Sequence, residues 1–132
     1  MHIIGLLHEH MRYDRDNFIT VHLENVDDED HYGQFDKVPQ RQAWTYNVSY
    51  DYTSIMHYKK NAFSKDYRIT IETHNAAYQD VIGNVLDASA GDYKKICSIY
   101  DCEPCMGGNA EPIRIPEVAP APETSKPDTG KK

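Results

Sequence analysis

His2 and His8 stand three residues either side of Gly5, in the pattern H-x-x-G-x-x-H. Two imidazoles so placed meet at one metal ion if His2 ends a helix and Gly5 turns the chain back. Such a turn predicts a positive φ at Gly5, which glycine adopts without a Cβ clash. No other stretch of the chain demands so much of so few residues, because a helix end, a left-handed turn and a returning segment must all fit between positions 2 and 8.

The spacing is similar to the second half of the zinc motif H-E-x-x-H-x-x-G-x-x-H. From His8 the chain continues H-E-H-M-R-Y-D-R-D-N-F-I-T-V, and further on it reads S-Y-D-Y-T-S-I-M-H-Y from Ser49 to Tyr58. Val81-Ile82-Gly83, then Ala88 to Asp92, and finally Ile99-Tyr100-Asp101-Cys102 follow in the same order. These segments resemble the astacin family of metzincin zinc endopeptidases over residues 1–102.

The resemblance implies an α+β fold: the C-terminal subdomain of a metzincin-like protease, mostly irregular, with a zinc-motif helix end at one extreme and a C-terminal helix at the other. It implies Zn2+ as cofactor, with His2 and His8 as two of three histidine ligands and Tyr58 as an additional ligand and oxyanion stabiliser. Met56 corresponds to the methionine of the Met-turn. Glu9 corresponds to the residue that receives the mature N-terminus; without that partner in the chain it is expected to be solvated or unpaired. The family's first zinc histidine and general-base glutamate would stand just ahead of Met1, so the 132 residues read as the later part of a catalytic domain, expected to be inactive alone. The family's setting implies secretion and a protein or peptide substrate. The alternative is a zinc-free chain that binds a partner through the remaining cleft surface.

Composition narrows the partners. A formal charge of −7 argues against nucleic acid and anionic membrane surfaces, both of which call for basic patches. No apolar run approaches the roughly 18 residues of a membrane helix. Mean hydropathy is −0.73, poor in apolar material for one domain of this length, and the ten tyrosines compensate by burying area while keeping a polar handle. The three cysteines, Cys97, Cys102 and Cys105, are odd in number and clustered. A local Cys97–Cys105 bridge, free thiols and a separate metal site all remain open from spacing. By resemblance, Cys102 pairs with a cysteine early in the catalytic domain, absent from this chain.

Along the chain, Phe18 to Leu23 is β-branched and aromatic and predicts an extended segment. A short helix fits His31 to Phe35, and a strand fits Lys65 to Thr73. Arg15 is either a solvated charge or half of an internal ion pair fixing its loop. Asn47-Val48-Ser49 is an N-glycosylation sequon. Ser89 with Asp92 forms a capping-box start, after which Tyr93, Ile96, Ile99 and Tyr100 recur at helical spacing. His10, His22, His31, His57 and His74 exceed the ligands needed and are read as non-ligands. From 103 to 132 the proline-rich composition predicts a disordered tail.

Overall fold

The computed structural model describes residues 1–105; the predicted tail beyond Cys105 lies outside them. Regular structure is sparse, as expected: a two-stranded antiparallel sheet of β1 (Ile19–Val21) and β2 (Ile71–Thr73), one α-helix, α1 (Ala90–Tyr100), and seven 3-10 segments. Ile19 pairs with Thr73 and Val21 with Ile71. Alternation along β2 turns Ile71 and Thr73 inward and Glu72 out, the period-2 pattern of a half-buried strand.

The expected strand from Lys65 is shorter than its composition suggests. Lys65–Tyr67 forms a 3-10 turn with Asp66 at φ 54°, and Tyr67 also has positive φ. Extended pairing therefore begins only at Ile71. The buried Thr70 hydroxyl donates to the Ala62 carbonyl at 2.8 Å, anchoring the approach to the strand sideways. The predicted short helix exists as a 3-10 segment, Glu29–Phe35, started by Asp28, whose carboxylate accepts from Asp30 N.

Ile19, Val26, Phe35, Tyr50, Ile71 and Ile82 form the core, with Tyr52 and Tyr58 packed against it. Burying each such side chain contributes roughly 1.5–3 kcal/mol. Aromatic contacts thicken the core: Phe18 stacks on Tyr50 with centroids 4.7 Å apart, and Tyr52 stacks on Tyr78 at 4.8 Å. Ile82 is held by the turn ending at Gly83, where φ is +67° and an added Cβ would stand 2.4 Å from Lys59 N. Backbone, not a movable side chain, blocks that position. Gly83→Ala is therefore expected to lower stability by about 3 kcal/mol, combining overpacking with left-handed strain; urea unfolding of the two chains measures it.

Helix α1 begins as its sequence predicts. Ser89 Oγ accepts from Asp92 N while the Asp92 carboxylate accepts from Ser89 N, a complete capping box. The face it buries is not the one marked by aromatic residues. Tyr93 and Tyr100 are exposed, whereas Asp92 and Lys95 are buried.

Candidate metal centre

His2 lies in the 3-10 turn His2–Ile4, closed by Gly5 at φ 94° in the left-handed region, as the spacing requires. Of the apolar residues flanking the turn, Leu6 is buried, whereas Ile3 and Leu7 are exposed. His2 Nδ1 donates to the Leu6 carbonyl at 3.0 Å, and His8 Nδ1 donates to the Met56 carbonyl at 3.0 Å. Because carbonyls only accept, each ring in its neutral form carries its proton on Nδ1 and presents a bare Nε2 lone pair.

Those two Nε2 atoms face each other 3.1 Å apart. Two unprotonated nitrogens at that distance lack a hydrogen to share. A tetrahedral zinc ion with bonds of about 2.0–2.1 Å holds its ligand nitrogens roughly 3.4 Å apart, so the pair fits an ion between them. Carbonyls that fix the outer nitrogen are the usual support for histidine ligands. Burial pushes the His8 pKa down, the Met56 carbonyl opposes this, and His2 adds to the lowering. Among the described residues, no group of three His, Cys, Asp or Glu side chains assembles around an ion.

Glu9 departs from expectation. Rather than standing solvated or unpaired, it is 2% exposed and saturated: Lys95 Nζ donates to Oε2, and Arg12 Nη1 and the Asp51 amide each donate to Oε1 at 3.0 Å. A carboxylate removed from water needs such compensation, and α1 supplies it across 86 residues of chain. Arg15 is internal but not through a buried ion pair: Nη1 donates to the carbonyls of His10 and Phe35, while its carboxylate partner Asp16 is exposed.

Met56 is buried; its carbonyl accepts from both His8 Nδ1 and the Glu9 amide. Tyr58 sets its ring 4.4 Å from that of His8 and stacks on His10 at 4.0 Å. Its hydroxyl lies 3.5 Å from Gln34 Oε1. Hence His2, His8, Met56 and Tyr58 do converge in space.

His10 and His57, read from sequence only as surplus, form the wall behind this cluster. His10 is fully buried; Nε2 donates to the Gln34 carbonyl at 2.9 Å and Nδ1 has no partner. Burial lowers its pKa to about 3. His57 Nδ1 donates to the Tyr58 carbonyl while Nε2 accepts from Tyr50 OH at 2.8 Å; burial lowers its pKa to about 4.

Cys97 and Cys105 form a disulfide, resolving the three readings left open by spacing, and Cys102 is a free, exposed thiol. Asn47 is exposed in a turn with φ 54°. No helix among the described residues is long and apolar enough to cross a membrane.

The fold is that of a metzincin-like subdomain, and comparison with known proteins agrees. The model of the astacin peptidase family matches residues 1–101. The chain belongs to the astacin family. It is 52% identical over 105 residues to the zinc metalloproteinase nas-5 of Caenorhabditis elegans, covering 80% of this chain and 29% of that protein. With human meprin A subunit beta it shares 29% identity, over 98% of this chain and 21% of the other. The structure is similar to that of high choriolytic enzyme 1, a hatching enzyme zinc-protease from the medaka Oryzias latipes, with a TM-score of 0.67 at 33% identity. That match covers 74% of this chain and 47% of the other. The chain thus spans less than a third of the length of the curated relatives named here.

Proposed function

We propose that this chain forms the later half of the catalytic domain of a secreted zinc metalloendopeptidase, in which His2 and His8 hold the metal and Tyr58 assists peptide-bond hydrolysis. The observation that carries the reading is the pair of bare Nε2 lone pairs facing each other at 3.1 Å, each ring fixed by a carbonyl on its far side. Zinc, when bound, supplies Lewis acidity and brings a water's pKa toward neutrality. Tyr58 stands beside His8 with its hydroxyl on no strong acceptor, free to donate to the oxygen that gains charge in the tetrahedral transition state. Met56 orients His8 through its carbonyl. The buried, unprotonated His10 and His57 back the Tyr58 ring and its carbonyl without adding charge beside the metal.

No glutamate precedes His2 in the 132 residues, so these residues contain no group to take the proton in the family's manner. General-base catalysis contributes typically 10²–10⁴-fold, and the third ligand is wanting too. The chain expressed alone is expected to bind one zinc ion and to leave casein or gelatin uncut. Zinc titration against a chromophoric chelator tests the reading: His2→Ala and His8→Ala should each abolish one-to-one binding, and Tyr58→Phe should retain it. Equal binding by wild type and His8→Ala would overturn the assignment. The exposed sequon at Asn47 and the Cys97–Cys105 disulfide fit a secretory route, in which Asn47 carries glycan and Cys102 takes a partner thiol.

A further inference from the structure

We infer that Lys95 is a positioning residue for the metal ligand His8, acting through Glu9; the inference rests on the metal reading of His2 and His8. Lysine is seldom buried unless paired, yet Lys95 is 7% exposed and its carboxylate partner 2%. The pair joins the third position of α1 past the capping aspartate to the residue directly following a metal ligand.

The path from Lys95 to the imidazole is continuous. Lys95 holds one oxygen of Glu9, while the other oxygen accepts from Arg12 and from the Asp51 amide. The Asp51 carbonyl accepts from Ser54 N, opening the turn that carries Met56. The Met56 carbonyl then receives the Glu9 amide at 3.1 Å and His8 Nδ1 at 3.0 Å. Side chain and backbone of Glu9 therefore clamp the same turn from two sides, and that turn offers the carbonyl that selects the His8 tautomer. Asp92, one helical turn earlier on the same face of α1, grips the same turn through Ser54 Oγ and Ile55 N. Two buried groups of opposite charge at i and i+3 thus tie α1 to the metal-ligand segment and to the Met56 turn.

Without the ammonium, Glu9 keeps a buried charge compensated by Arg12 alone. Arg12 also bonds both oxygens of Asp14, so Glu9 is drawn toward it and away from α1. The grip on the Met56 carbonyl loosens, and His8 samples the tautomer with its proton on Nε2, which cannot bind metal. Groups that orient metal ligands in this manner are worth about 10- to 100-fold in affinity.

The test uses the full 132-residue chain with its imidazoles labelled with 15N, metal-free, at a pH where His8 is neutral. Wild type should show one His8 tautomer, protonated on Nδ1, and Lys95→Met a mixture, with zinc affinity about 10-fold or more weaker by chelator competition. A folded Lys95→Met with unchanged His8 nitrogen shifts overturns the inference. The double variant Glu9→Gln/Lys95→Met strands no charge, and carries the same test if the single variant unfolds: mixed tautomers support the inference and a single one overturns it. Loss of fold in both variants overturns it too, since Lys95 would then hold the domain rather than the ligand. A wild-type chain that binds no zinc, but whose His8 tautomer still depends on Lys95, sinks the metal reading and leaves the positioning role standing.

Discussion

Acidification from pH 7 to pH 4 is expected to unfold the described domain, with two buried imidazoles responsible for a large share of the loss. His57 and His10 are 4% and 0% exposed, and burial is the foremost cause of pKa values lowered to about 4 and about 3. The unfolded chain takes up both protons near the ordinary value of about 6.5, while the folded chain refuses them until far lower pH. Stability from these groups is therefore complete above about pH 6.5 and falls as pH drops toward 4 and then 3. Where only the unfolded state is protonated, two such groups remove about 2.7 kcal/mol per pH unit. Over the whole window His57 accounts for about 3 and His10 for about 5 kcal/mol, against a typical domain stability of about 5–15. Urea midpoints between pH 7.5 and 4.5 measure the slope, and His57→Gln, which cannot titrate, should roughly halve it. A slope equal in wild type and His57→Gln would show that the imidazole is not held neutral by burial.

Local signals were legible in the sequence and long-range ones were not. The turn at Gly5 and the capping box from Ser89 to Asp92 are decided within a few residues, and both stand as expected. The strand expected from Lys65 to Thr73 is confined to Ile71–Thr73 because backbone turns at Asp66 and Tyr67 break a pattern that composition alone favours. The cysteine pairing could not be chosen from spacing, since three cysteines in nine residues admit several answers; in the fold the end of α1 brings Cys97 to Cys105. Burial of charge was the least visible feature. Asp92, Lys95, Ile96 and Ile99 share one helical face by their i, i+3, i+4, i+7 spacing. That spacing could have shown the two charges facing inward had the tyrosines not drawn the stripe elsewhere. Glu9 and His10, both polar and following His8, gave no sign of being buried, because their partners Lys95 and Gln34 lie far along the chain.

Asp92→Ala is expected to cost about 4 kcal/mol, as much as emptying a core position. Asp92 is fully buried and its two oxygens serve three donors: Ser54 Oγ at 2.6 Å, Ile55 N at 3.0 Å and Ser89 N at 3.1 Å. Alanine removes one arm of the cap, worth typically about 1 kcal/mol. It also strands the hydroxyl of Ser54, itself fully buried, and a buried unsatisfied donor costs about 1–3 kcal/mol. The loss propagates toward the His2–His8 pair, because Ser54 Oγ accepts from Met56 N at 3.0 Å, and released from Asp92 the hydroxyl turns away. Asp92→Asn keeps one acceptor oxygen for Ser54 but sets an amide NH2 against the backbone donors, and should cost about half as much. Urea unfolding gives the two energies, and amide exchange at Met56 should quicken in Asp92→Ala more than exchange at Ile71 in the sheet. A loss below about 1 kcal/mol, in the range of an ordinary exposed cap, would mean that α1 and the Met56 turn hold together without this carboxylate. The link between α1 and His8 would then have to run through Lys95 alone.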